Sequence, residues 1–312
     1  MERAFVFPGQ GSQAVGMGKA LAEAYPAARE VFQEIDDALS QRLSKLMFEG
    51  PAEELTLTEN AQPALMAVSM ALVRVLQAEA GVNLQRRGRF VAGHSLGEYS
   101  ALAAAGALPV AEAARLLKRR GQAMQGAVPV GVGAMAAILG LELDAVRAVA
   151  DEAAEGEVCG LANDNAPGQI VLSGDKAAVE RAVALAKGRG GKAIMLPVSA
   201  PFHCTLLQPA ADAMAAALAG ASLAEPHLPL VSNVTAAAVT DPGDIRDLLV
   251  RQVTAMVRWR ESVLYMKAEG VEQLVELGAG KVLTGMVRRI DPDLTGLSVQ
   301  TPADLDGFVK QL

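Results

Sequence analysis

Five residues, Gly93-His94-Ser95-Leu96-Gly97, restrict this chain more than any other segment. They follow the apolar run Phe90-Val91-Ala92 and precede a helix-like stretch at residues 98–105. Strand, sharp turn and helix in that order present a serine on a nucleophile elbow. Glycine on either side lets strand and helix pack closely around a strained turn, with the hydroxyl pushed out and the following N–H groups facing the oxygen it attacks. The plainer reading is a serine capping a helix, because Gly-x-Ser-x-Gly arises by chance and serine is a favoured N-cap.

The alternation around this segment continues along the chain. Strand-like residues 4–7, helical residues 27–39 and 63–80, a strand at 90–92 and two further helices make the pattern of a parallel sheet covered by helices. From 134 to 198 the order changes to strand 134–139, helix 143–154, strands 157–161 and 169–173, helix 176–187 and strand 192–198. That βαββαβ order is ferredoxin-like. Strands at 228–231, 273–277 and 296–299 then alternate with helices at 207–218, 245–253 and 282–290. The expected fold is therefore α/β: an α/β-hydrolase-like core with a parallel sheet, formed by residues 1–128 and 202–312, and an inserted ferredoxin-like subdomain at 129–201. The segment Pro129-Val130-Gly131-Val132-Gly133 is the expected hinge.

A chain of 312 residues is long enough for one large domain with a smaller insert. A net charge of −7 argues against nucleic acid as a partner. The two cysteines, Cys159 and Cys204, make neither a metal-binding spacing nor a disulfide framework. The first eight residues read as a strand entering a loop, without a secretion signal. Charges or glycines interrupt the alanine-rich helices before the ~18 to 20 apolar residues of a membrane span. A soluble, cytoplasmic protein with no membrane partner is expected.

A serine hydroxyl needs a base, usually histidine, whose ordinary pKa is ~6.5. Three histidines are available. His94 lies inside the elbow beside Ser95, where successive side chains diverge, so packing or hydrogen bonding within the turn is expected. His227 sits between Pro226 and Leu228-Pro229, in a loop. His203 follows the apolar stretch Ile194-Met195-Leu196-Pro197-Val198, where the insert rejoins the main body. Clefts form at such junctions. The candidate acids between serine and histidine, Asp144, Asp151, Asp164 and Asp175, all lie in the insert. None stands at a main-sheet strand end, so a neutral acceptor such as a backbone carbonyl is expected to orient His203.

Plotted at 100° per residue, the helix at 110–125 places Ala113, Leu116, Leu117, Ala123 and Met124 in one arc, with Arg120 in the middle of it. A guanidinium directed at a core is costly unless paired, and its planar fork suits a carboxylate. Either an internal acid or a substrate carboxylate is the partner.

Together with Phe7-Pro8-Gly9-Gln10-Gly11-Ser12-Gln13, Thr58-Glu59-Asn60-Ala61-Gln62-Pro63-Ala64, Asn163-Asp164-Asn165-Ala166-Pro167-Gly168-Gln169 and Leu249-Val250-Arg251-Gln252, these segments resemble the malonyl-CoA:acyl carrier protein transacylases of type II fatty acid synthesis over nearly the whole chain. The resemblance implies Ser95 as the acylated nucleophile, His203 as its base and Arg120 as the clamp on the malonyl carboxylate. It implies backbone N–H groups of Gln10 and Leu96 as an oxyanion hole, the Gln252 carbonyl as the histidine's acceptor, and Gln62 and Asn163 near the substrate. Phe202 matches a position that, in related polyketide acyltransferases, accompanies preference for malonyl over methylmalonyl. The implied substrates are malonyl-CoA and an acyl carrier protein, with no cofactor and a monomeric enzyme. An acidic carrier would dock on Lys187, Arg189 and Lys192, or on Arg288 and Arg289.

Other signals have plainer readings. Gly9-Gln10-Gly11 lacks the third glycine of a dinucleotide loop. Gly278-Ala279-Gly280-Lys281 lacks phosphate-loop spacing and reads as a helix-opening turn. Cys204 is adjacent to His203 and reads as buried filler, and Met135, Met195, Met214, Met256 and Trp259 read as core. The rival functions are a polyketide-loading acyltransferase, a serine thioesterase or esterase, and a non-catalytic carrier-binding protein.

Overall fold

Ten strands form in the computed structural model, which describes residues 1–312. They are β1 (Arg3–Phe7), β2 (Phe90–Gly93), β3 (Gly133–Leu139), β4 (Cys159–Ala166), β5 (Gln169–Asp175), β6 (Lys192–Met195), β7 (Leu230–Val231), β8 (Ala238–Val239), β9 (Gln273–Leu277) and β10 (Thr295–Val299). Six make a sheet in the order β10-β9-β1-β2-β7-β8, parallel except for β8. The other four make an antiparallel sheet in the order β4-β5-β3-β6. The chain is α/β as expected, with the parallel sheet carrying the elbow.

Continuous apolar strands are what a sheet covered on both faces requires. Phe5 and Phe7 of β1 enter the largest core cluster, while Ala4 and Val6, on the opposite face, enter a second one around Trp259. The alternation follows from the two-residue period of a strand. In the small sheet Ala134, Ala136 and Ile138 pack under the helices Leu143–Ala154 and Lys176–Gly188. Met135, between them, faces the main core instead.

Several expectations change. The helix expected at 63–80 begins earlier and spans Thr58–Ala80, which makes it long and apolar enough to cross a membrane, contrary to the sequence expectation. Of its most apolar window, 78% is buried inside the protein, and a helix hydrophobic all round is a core helix when other elements enclose it. β6 stops at Met195 rather than 198 because Pro197 has no N–H to give a sheet. Residues 196–200 become an irregular strap, and Met195, expected in the core, is 39% exposed on this edge strand. Met256 is only partly buried, whereas Met135, Met214 and Trp259 are core. β4 spans Cys159–Ala166 rather than 157–161, running on through an Asn- and Asp-rich stretch. Its backbone is tied to the main body: Asp164 N–H donates to Val257 O at 2.9 Å and Val257 N–H to Ala162 O at 2.8 Å.

Candidate active site

Ser95 lies just past the carboxyl end of β2, before the helix Gly97–Ala104, with φ of +54°. An L-residue rarely adopts that conformation, so the turn must be held by its surroundings. A Cβ on Gly93 would overlap the Gly97 carbonyl, and one on Gly97 would overlap the Phe7 carbonyl. Those two glycines are therefore demanded by close approach of strand and helix. Asn233 pins the turn from the other side: its Oδ1 accepts the Ser95 N–H at 2.8 Å and its Nδ2 donates to Gly93 O at 2.7 Å.

His203 also has a positive φ, +58°, and is buried. Its Nε2 stands 2.8 Å from Ser95 Oγ and its Nδ1 2.9 Å from the backbone carbonyl of Gln252. A carbonyl only accepts, so Nδ1 carries the hydrogen. Burial, and then the nearby Arg120 cation, push the imidazole pKa down to about 3. The ring is thus neutral, and bare Nε2 is left to accept the serine proton. No carboxylate orients it, as expected: Asp164 pairs with Arg260 at 2.9 Å and Asp175 accepts from Val158 N–H at 2.7 Å. His94 is engaged elsewhere, with Nε2 at 2.9 Å from Asn165 Oδ1, and His227 is exposed in a loop. Cys204 is buried, its Sγ donates to Pro201 O at 3.2 Å, and burial pushes its thiol pKa up, which disfavours a thiolate.

Arg120, on the helix Val110–Ala127, is 1% exposed. It has no carboxylate within ion-pair distance. Nη1 donates to Gln62 Oε1 at 2.9 Å, and Nη2 donates to Gln252 Oε1 at 2.8 Å and to Ser95 Oγ at 3.1 Å. Nε has no partner at all. Of the two partners the sequence left open, the internal salt bridge is thereby removed. A buried cation held only by neutral acceptors keeps its charge unpaired and available to an incoming anion.

These groups face one cleft of about 590 Å³, whose walls include Gln10, Leu96, Met124, Asn163, Phe202 and the 196–199 strap. Of the eight residues singled out from the sequence, Ser95, His203, Arg120, Gln10, Leu96, Gln62 and Asn163 line this cleft, while Gln252 is fully buried behind it against His203 and Arg120. Neither Gln10 N–H nor Leu96 N–H donates to any acceptor in the protein, while Gln10 Nε2 donates to Thr58 Oγ1 at 3.3 Å. Asn163 lines the wall on β4, and Gln62 is fixed by donating to Met124 Sδ at 3.6 Å. No group of three or more His, Cys, Asp and Glu side chains is placed to hold a metal ion. Sequence reasoning missed Asn233, the side chain of Gln252, and Glu98. Glu98 is buried in the first turn after the elbow, where desolvation pushes its pKa up while the N–H donors of Asn233 and Gln252 and the Arg120 cation favour the ionised form.

A hydroxyl beside a neutral imidazole and a buried guanidinium is an arrangement suited to nucleophilic chemistry on an acyl group that carries an anion. The chain belongs to the acyl transferase domain family, whose sequence model matches residues 4–292. It is 50% identical over 301 residues, 96% of each chain, to a malonyl CoA-acyl carrier protein transacylase of Escherichia coli (strain K12). To one of Bacillus subtilis (strain 168) it is 47% identical over 311 residues, covering 99% of this chain and 96% of that one. Among solved structures it resembles an acyl-carrier-protein-S-malonyltransferase from Bartonella henselae with TM-score 0.97 and 53% identity, over 100% of this chain and 99% of that. It matches a type II PKS acyl-carrier protein's malonyl-transacylase, solved in complex with that carrier, with TM-score 0.97 and 43% identity over all of both chains.

Proposed function

We propose that this protein transfers the malonyl group of malonyl-CoA to the phosphopantetheine thiol of an acyl carrier protein, through a malonyl ester on Ser95, to supply fatty acid synthesis. The observation that carries the reading is the placement of Ser95 Oγ between His203 Nε2 at 2.8 Å and Arg120 Nη2 at 3.1 Å. His203 takes the serine proton as Oγ attacks the thioester carbonyl, and the oxyanion that forms is received by the unpaired N–H groups of Gln10 and Leu96. Collapse breaks the C–S bond, and His203 gives its proton to the departing CoA thiolate. The carrier's thiol then repeats the sequence in reverse and leaves Ser95 free. Arg120 binds the carboxylate of the malonyl group in both halves, with Gln62 and Gln252 holding its fork and Asn163 on the facing wall. Phe202 limits the room beside the acyl group, which supports malonyl over methylmalonyl.

The steps use only this chain's serine, imidazole, guanidinium and N–H groups, and we infer no cofactor. The strand order of the small sheet, with every neighbour antiparallel, supports a ferredoxin-like subdomain at 129–201 carried by an α/β-hydrolase-like core of 1–128 and 202–312. We place the enzyme in the cytoplasm as a monomer, binding neither membrane nor nucleic acid. For carrier docking, Arg189 is already paired with Glu152 and Arg289 with Gln169 and Pro167, which leaves Lys187, Lys192 and Arg288 as the free cations of the two patches. The test is steady-state kinetics with both substrates varied. Parallel double-reciprocal lines and malonyl carrier as product are expected; free malonate as the main product, with carrier present, would make the protein a thioesterase instead.

A further inference from the structure

Glu98 takes no part in the transfer steps, yet its carboxyl lies buried directly beneath them. One oxygen, Oε1, accepts the backbone N–H of Asn233 at 2.6 Å. The other, Oε2, accepts from Gln252 Nε2 at 2.5 Å, the shortest hydrogen bond that carboxamide makes. The same carboxamide turns Oε1 to Arg120 Nη2 at 2.8 Å. Its remaining amide contacts are Ser95 O at 2.9 Å and Asn233 Oδ1 at 3.3 Å. An amide has one donating and one accepting end, so whichever end Glu98 takes, Arg120 receives the other. If the NH₂ group turned toward Arg120, two donors would face each other in a buried site.

We propose that Glu98 is a positioning residue, which fixes the Gln252 carboxamide with its oxygen toward Arg120 and so sets the enzyme's preference for acyl groups bearing a carboxylate. The inference rests on the malonyl-transfer reading above. Glu98 touches no substrate; it acts through Gln252 on the guanidinium that does.

The isosteric Glu98→Gln variant keeps the shape but forces an NH₂ group against either Asn233 N–H or Gln252 Nε2–H. The measurement is kcat/KM for malonyl-CoA and for acetyl-CoA in wild type, E98Q, Q252M and the double variant, with thermal melts to confirm folding. Q252M removes the carboxamide while leaving the backbone carbonyl for His203. In E98Q the malonyl-to-acetyl ratio is expected to fall on the order of tenfold, chiefly through malonyl-CoA. Q252M should lose the preference at least as far, and E98Q added to Q252M should lower it no further. Parallel slowing of both substrates with an unmoved ratio, or additive losses in the double variant, would overturn the inference. If E98Q does not fold, Q252M decides: a retained preference there overturns the relay. A wild type without malonyl preference would overturn the functional reading together with this one, whereas a selective wild type and an equally selective E98Q would overturn this one alone.

Discussion

At the scale of single residues, the site is governed by what burial does to His203 and Arg120. A folded-state pKa of about 3 means that the imidazole stays neutral far below its ordinary ~6.5, so the base is competent in mild acid. The pH profile of kcat/KM should show no acid limb near ~6.5, and an inflection there would contradict the burial account. The same shift carries a stability cost with a definite sign. Unfolding frees the ring to take up a proton below ~6.5, so stability falls as pH drops from there toward about 3. Removing the ring in His203→Gln should spare roughly 2 kcal/mol of the loss that wild type suffers between neutrality and about pH 5, read from urea unfolding at both values. Arg120 is bound by neutral acceptors only, and Arg120→Ala should lower the malonyl-to-acetyl ratio by ~10- to 100-fold, measured by competition between the two thioesters.

At the scale of elements, the elbow depends on two helix and strand backbones approaching until no Cβ fits between them. Gly93→Ala and Gly97→Ala should each cost about 3 kcal/mol or more in a thermal or urea melt, because the added carbon meets backbone that has no room to yield. Gly126→Ala, near the end of the Arg120 helix with open space at its Cβ, should stabilise by ~0.5 kcal/mol. Glycine spacing and helical phase are local properties, which is why the elbow and the inward Arg120 were legible in the sequence. The polar residues that brace them were not. Asn233 and Glu98 lie 135 residues apart and carry no periodic signal, and the use of Gln252's side chain emerges only when the helix Pro242–Gln252 meets the elbow. The Asn163-Asp164-Asn165 run has turn composition, yet β4 keeps it extended by pairing with β5 on one side and Val257 on the other. The helices Lys19–Ala24 and Trp259–Ala268 also escaped, the first because it is short and the second because Trp259 reads as core without showing which element carries it.

At the scale of the whole molecule, the parallel sheet supplies Gln10 and Ser95 from the carboxyl ends of neighbouring strands, and the strap leaving the small sheet supplies the facing wall. His94 to Asn165 and Arg260 to Asp164 join the two bodies on the β4 edge, while on the β6 side the strap is tied to the Arg120 helix through Ser199 and Gln125. Most of the long apolar helix is enclosed by this arrangement, so the protein should run as a single species near 32.3 kDa in light scattering and leave lipid vesicles unbound in a flotation assay. The decisive measurement is the intact mass of the protein after brief exposure to malonyl-CoA. The account predicts a gain of one malonyl group on Ser95, none in Ser95→Ala, and its discharge on adding holo acyl carrier protein. A wild-type protein that gains no malonyl group, or a Ser95→Ala protein that still does, would contradict it.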